Sequence, residues 1–131
     1  MSGGGRLRAV HQIATTAIVA TVLVQALIAG QHLFGDWGIG LHATLGNAAF
    51  AVAVLAAGLA VAKQWSRSLI VTGVILAALL AIQILLGNAG TGERSTAAAI
   101  HIPLGLVAFG VASYQLLLSR PALLGPTGNR T

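Results

Sequence analysis

Long apolar runs separated by three short polar breaks make up most of this chain. The runs lie near residues 9–33, 41–62, 68–88 and 97–118. At a rise of about 1.5 Å per residue, about 20 residues of helix cover a hydrocarbon core of ~30 Å, and each run is at least that long. The breaks are Gly35-Asp36-Trp37-Gly38, Lys63-Gln64-Trp65-Ser66-Arg67 and Gly90-Thr91-Gly92-Glu93-Arg94. Ser95 or Thr96 then stands where a helix N-cap is expected. The pattern predicts four transmembrane helices in a single membrane domain over residues 1–131, with short tails at 1–8 and 119–131. The first run follows Arg6 and Arg8 as a signal peptide would, but it is too long for a signal core and is read as the first spanning helix.

A repeat crosses this pattern. The segment from Leu41-His42-Ala43-Thr44-Leu45-Gly46 to Phe50 and Ala53 recurs as Ile100-His101-Ile102-Pro103-Leu104-Gly105 to Phe109 and Ala112. Upstream, Gln25 to Gly30 near the end of the first run is matched by Gln83 to Gly87 near the end of the third. Two tandem hairpins with the same orientation are related by an axis along the membrane normal. The expected fold class is all-α integral membrane: a four-transmembrane-helix up-down bundle built from two tandem helical hairpins with pseudo-twofold symmetry.

Composition agrees with the pattern. Of 131 residues, 56% are hydrophobic and only 7% are charged, whereas a soluble domain carries about a quarter charged residues. The chain has no cysteine. That excludes disulfides, iron–sulfur clusters, covalent c-type haem attachment and thiolate zinc sites.

The net charge of +5 has a topological explanation rather than a nucleic-acid one. Arg6, Arg8, Lys63, Arg67, Arg120 and Arg130 fall on one side of the bundle, and Arg94 falls on the other with Asp36 and Glu93. The excess of basic residues predicts cytoplasmic termini. Trp37 and Trp65 lie at opposite interfaces, where aromatic anchors are expected.

Candidate chemistry centres on the repeated histidines. His42, Gly46, Ala49 and Ala53 fall on one helical face, and His101, Gly105, Ala108 and Ala112 fall on the equivalent face of the fourth helix. The two imidazoles are expected at similar depth, near the outer surface. Opposed across the axis, they form a ligand pair for a haem iron, with small side chains below leaving a slot for a flat macrocycle. The structural alternative stays open: interfacial histidines cost little, and Gly and Ala at this spacing are ordinary packing residues of membrane helices.

The surrounding residues carry weaker expectations. His32 is a third metal ligand, a propionate partner or an interfacial group. His11, beside Arg8, is expected at the surface. Gln25 and Gln83 are amides within spanning helices and require partners there. With Thr44, Asn47 and Asn88, they either orient the histidines or bond between helices. Arg94 is the outer cation expected to meet haem propionates, or else a partner of Glu93. Pro103 is tolerated near the first turn of the fourth helix. No paired intramembrane carboxylates, nucleophilic triad or phosphate loop is visible, so enzymatic activity requires a cofactor-supplied, haem-dependent oxidoreductase chemistry.

The order Gln25 to Gly30, His42 to Gly46, Gln83 to Gly87 and His101 to Gly105 resembles a group of bacterial four-helix membrane proteins. It is also similar to one four-helix half of haem A synthase, over about residues 10–118. In that family the second and fourth helices of each half carry histidines that hold or accept a haem, and His42 and His101 occupy the matching places. The chain departs from the family in forming one bundle rather than two. It also lacks the loop cysteine pair and offers only Asp36 as an outer acid near the first two helices. The resemblance therefore implies haem binding without implying oxygenation of a haem methyl.

The resulting expectation is a small cytochrome b-like protein holding one haem b between His42 and His101. Its role would be electron transfer or haem handling, with a redox partner or larger membrane complex, or as a homodimer. Two other classes remain open at this point. One is a cofactor-free accessory subunit of a larger complex; the other is an outward-facing metal site of His32, His42 and His101.

Overall fold

The computed structural model describes residues 3–34, 39–89 and 96–120. These form four α-helices: α1 (Gly3–Phe34), α2 (Ile39–Ala62), α3 (Arg67–Ala89) and α4 (Thr96–Ser119). All four contain stretches long and apolar enough to cross a membrane, so the chain is built as an integral membrane protein. α1 begins at Gly3 rather than near residue 9, because Arg6 and Arg8 interrupt the hydropathy but not the helix, arginine being a good helix former. Asp36, Trp37, Glu93, Arg94, Ser95 and Arg130 lie outside the described residues, so the expectations placed on them stay with the sequence.

Each helix packs against its two neighbours in the order α1, α2, α3, α4 and back to α1, so α1 with α3 and α2 with α4 stand on the diagonals. Lipid gives helices no hydrophobic reason to associate, and close packing of small residues takes its place. The core follows that rule: Ile18, Ala49, Ala53, Leu76, Leu80, Ala108 and Ala112 form its buried cluster. The cluster also obeys the repeat, with Ile18 matching Leu76, Ala49 matching Ala108, and Ala53 matching Ala112. Outward-facing positions are filled by large apolar residues such as Leu27, Leu55 and Leu106, each more than two-thirds exposed and suited to lipid tails.

The turn between α2 and α3 is tightly specified. Trp65 N–H donates to the Ala60 carbonyl at 3.0 Å and Gln64 N–H to the Val61 carbonyl at 2.9 Å. This is the Schellman pattern that closes a helix C-terminus, and it needs a left-handed residue, here Gln64 with φ 49°. Ser66 then caps α3 by accepting from Leu69 N–H through Oγ at 3.4 Å. The consequence is positional: Trp65 is turned back onto the bundle, against α1.

Candidate functional site

The first turns of α2 and α4 carry the two repeated histidines, and the fold brings them together. The His42 and His101 rings face each other across the α2–α4 diagonal with centroids 6.0 Å apart and planes inclined by 59°. Two imidazoles bound through Nε2 to opposite sides of one metal ion, at bonds of roughly 2 Å, have centroids about 6.4 Å apart. The observed separation is close to that requirement. Among the described residues, no group of three or more potential ligands forms, so the pair stands without a third donor. The side chain of His32 lies outside the described residues.

Each ring is oriented by its own hairpin. His42 Nδ1 lies 3.2 Å from the Gln25 carbonyl oxygen on α1. His101 Nδ1 lies 3.1 Å from the Gln83 carbonyl oxygen on α3. A carbonyl only accepts, so in both rings Nδ1 carries the hydrogen and donates it. In its neutral form each imidazole then keeps the lone pair on Nε2, the arrangement that prepares a histidine for metal binding. Among the described residues, neither Nε2 has a hydrogen-bond partner.

The glutamines behave differently in the two hairpins. Gln83 Nε2 also donates to the His101 backbone carbonyl at 2.9 Å, so His101 is held through both its ring and its main chain. Gly105 makes this possible: a Cβ there would stand 3.0 Å from Gln83 Nε2. In the first hairpin the amide lies beside Gly46, where a Cβ would be 3.4 Å from Gln25 Nε2. Gln25 Nε2 is nevertheless buried without a partner.

These contacts correct one expectation. The space left by Gly46 and Gly105 is not a slot below the histidines, because the glutamine amides extend into it. A second correction concerns α2. Thr44 and Asn47 face outward, and they bond to Gly40 and Ala43 of their own helix rather than orienting histidines or bridging helices. Local bonds to the carbonyl one turn back satisfy short polar side chains on a lipid-facing surface. Asn88 is likewise exposed.

His11 overturns a third expectation. It is only 1% exposed, inside the bundle rather than on its surface. His11, Thr15 and Ile18 recur at helical spacing on the inward face of α1, and all three are buried. That spacing was the available signal; the adjacency of Arg8 obscured it. Thr15 Oγ1 donates to the His11 carbonyl at 2.8 Å, and Ser119 Oγ lies 3.1 Å from His11 Nδ1. Ser119 Oγ also donates to the Gln115 carbonyl at 2.8 Å, which uses its single hydrogen. His11 Nδ1 is then the donor to Ser119, and its buried Nε2 has no partner.

Trp65 closes this cluster. Its ring meets His11 edge to face at 5.0 Å and 84°. The Arg8 guanidinium lies 5.2 Å from the centre of a Trp65 ring, a cation–π arrangement. With one histidine and no counterpart, this end cannot form a second ligand pair. The matching positions on α3 and α2 are Leu69 and Ala60.

No family model, curated protein or solved structure matches this chain.

Proposed function

We propose that this chain is a small membrane cytochrome of the b type, in which His42 and His101 would hold one haem. The observation that carries this reading is the pair of rings 6.0 Å apart, each with Nδ1 committed to a backbone carbonyl. Two neutral imidazoles with free Nε2 lone pairs are the donor set such an iron takes. Gln25 and Gln83 orient the rings, and Gly46 and Gly105 admit the glutamine amides next to them. Arg94 is the cation we assign to the propionates. Haem bound there would supply one-electron chemistry, serving electron transfer to a membrane partner or the handling of haem itself.

The basic residues Arg6, Arg8, Lys63, Arg67 and Arg120 lie at the end of the bundle opposite the pair. By the positive-inside rule, that end and both termini are cytoplasmic in a bacterial inner membrane, and the haem lies toward the outer leaflet.

Absorption spectra of the detergent-purified protein, oxidised and dithionite-reduced, test the proposal. The wild type is expected to show a Soret band and sharp reduced α and β bands, with haem content strongly reduced in His101→Ala. A wild type that stays colourless after haem is supplied would overturn it and favour a cofactor-free subunit. Stoichiometric zinc or copper without haem would favour a metal site.

A further inference from the structure

The repeat that equates the two hairpins breaks down on their lipid-facing sides. Asn47, Ala48 and Gly58 of α2 are exposed, and their counterparts on α4, also exposed, are Leu106, Val107 and Leu117. α4 therefore offers lipid a bulky apolar surface, as α3 does with Val71, Val74, Ile75 and Leu85. α2 instead presents Asn47, Ala51, Val54 and Gly58, all exposed, at spacings of four, three and four that keep them in one line along the helix.

Asn47 is the costly member of that line. It is the ninth of the 24 residues of α2. At about 1.5 Å per residue it stands about 12 Å from the start of the helix, inside a hydrocarbon core of ~30 Å. Its Nδ2 donates to the Ala43 carbonyl at 3.0 Å, which uses one of two amide hydrogens. Among the described residues, the second hydrogen and Oδ1 have no partner. In lipid only another protein group can supply one. Gly58 adds a second sign. A Cβ there would meet nothing within 4 Å, so no contact inside the chain requires glycine, the weakest helix former after proline.

Copies of a membrane chain cross the bilayer in the same direction. A twofold axis between two copies then runs along the membrane normal, and residues of the same number meet at the same depth. Asn47 would face Asn47, and an amide is its own complement. Each Nδ2–H can donate to the other Oδ1, which uses both leftover groups. α4 also has an open glycine, Gly110, but it stands between Leu106 and Tyr114 with no amide in line.

We propose that α2 is the interface of a homodimer, in which Asn47, Ala51, Val54 and Gly58 pack on the same residues of a second copy and the two Asn47 amides pair. Ala51 and Gly58 let the backbones approach, as small residues do where membrane helices cross. His42 faces inward toward His101, so this interface leaves the histidine pair untouched and stands apart from the haem reading.

The chain has no cysteine, so single cysteines report on the interface directly. In membranes treated with copper phenanthroline, Ala51→Cys and Gly58→Cys are expected to form disulfide-linked dimers. Gly110→Cys and Leu117→Cys, at the matching positions of α4, are expected to remain monomeric. Affinity is read by energy transfer between chains carrying donor and acceptor dyes at the N-terminus, as vesicles are diluted with lipid. Asn47→Leu, which installs the α4 residue, is expected to weaken the dimer about tenfold, and Gly58→Leu at least as much. Asn47→Gln keeps the amide and is expected to retain most of the affinity.

A wild type that stays monomeric at every lipid ratio would overturn the inference. So would a dimer that Asn47→Leu leaves unweakened, or α4 cysteines that cross-link as well as those of α2. A cysteine on α2 that links to a different protein instead would overturn it in favour of a larger complex. If Asn47→Leu does not fold, the cysteine comparison decides the matter. The Soret band tests the haem reading separately, and none of these variants is expected to alter it.

Discussion

At the paired-histidine end, Gln25 and His42 on one hairpin are matched by Gln83 and His101 on the other. At the Trp65 end, His11 and Ser119 have Leu69 and Ala60 in their matching positions. Polar groups that come in pairs about the axis converge on it and can share one ligand. A polar group present once can serve only the seam that carries it. That seam, α1 against α4, is the one with no turn joining its helices. Membrane helices gain little from apolar contact with each other, and the buried His11–Ser119 bond links α1 to α4 across the seam that no loop joins. The opposite seam, α2 against α3, is joined by the Schellman turn and manages with Ala56, Ala57, Ala60 and Gly73.

Four substitutions probe this contrast. The largest effect is expected at the tight apolar seam. A Cβ at Gly73 would stand 3.0 Å from Gln115 Nε2, 3.3 Å from Ala57 Cβ and 3.4 Å from Ala57 Cα. The amide can move but the α2 backbone cannot move cheaply. Gly73→Leu should therefore cost about 3 kcal/mol, the upper part of the range for overpacking, read by reversible unfolding in mixed micelles. A loss below about 1 kcal/mol would show that this seam is looser than the contacts imply.

The next effect separates the two halves of the site. Gly105→Ala presses on Gln83 Nε2, which must give by a few tenths of an ångström at its part-buried bond to the His101 carbonyl, and should cost about 1 kcal/mol as that bond weakens. Gly46→Ala meets an amide that bonds nothing, and should cost less than about 0.5 kcal/mol beyond its helix propensity gain. Equal costs in the same unfolding assay would erase the asymmetry between the clamps.

The smallest effect is expected at the single histidine. His11→Leu installs the residue that the sister position already holds, and it removes a buried nitrogen with no partner. Ser119 keeps its bond to the Gln115 carbonyl. The change should be neutral or stabilising by up to about 1 kcal/mol, while haem content stays unchanged. A loss of about 2 kcal/mol or more would mean that His11 Nε2 has a hydrogen-bond partner in the folded protein.

Much of this architecture was legible in the sequence. The four apolar runs place the helices to within a residue or two, except at the start of α1, where hydropathy is blind to a charged helical turn. The repeat placed His42 and His101 on facing sides because backbone periodicity alone determines which face a residue occupies. His11 stands one turn from the charged Arg8, yet its spacing to Thr15 and Ile18 marks an inward face. The inequality of Gln25 and Gln83 was not legible. Both hairpins carry the same residue types, and the difference is one of amide placement over a glycine, decided by packing to a few tenths of an ångström.

The central claim is that His42 and His101 together hold one haem. Haem per chain, measured by the pyridine haemochrome method alongside the ferric spectrum, tests it most directly in wild type, His42→Ala, His101→Ala and His11→Ala. The expected result is one low-spin haem per wild-type chain, the same in His11→Ala, a loss of the low-spin spectrum in His42→Ala and a loss of haem in His101→Ala. A wild type without haem, or low-spin haem that survives removal of either paired histidine, would contradict it.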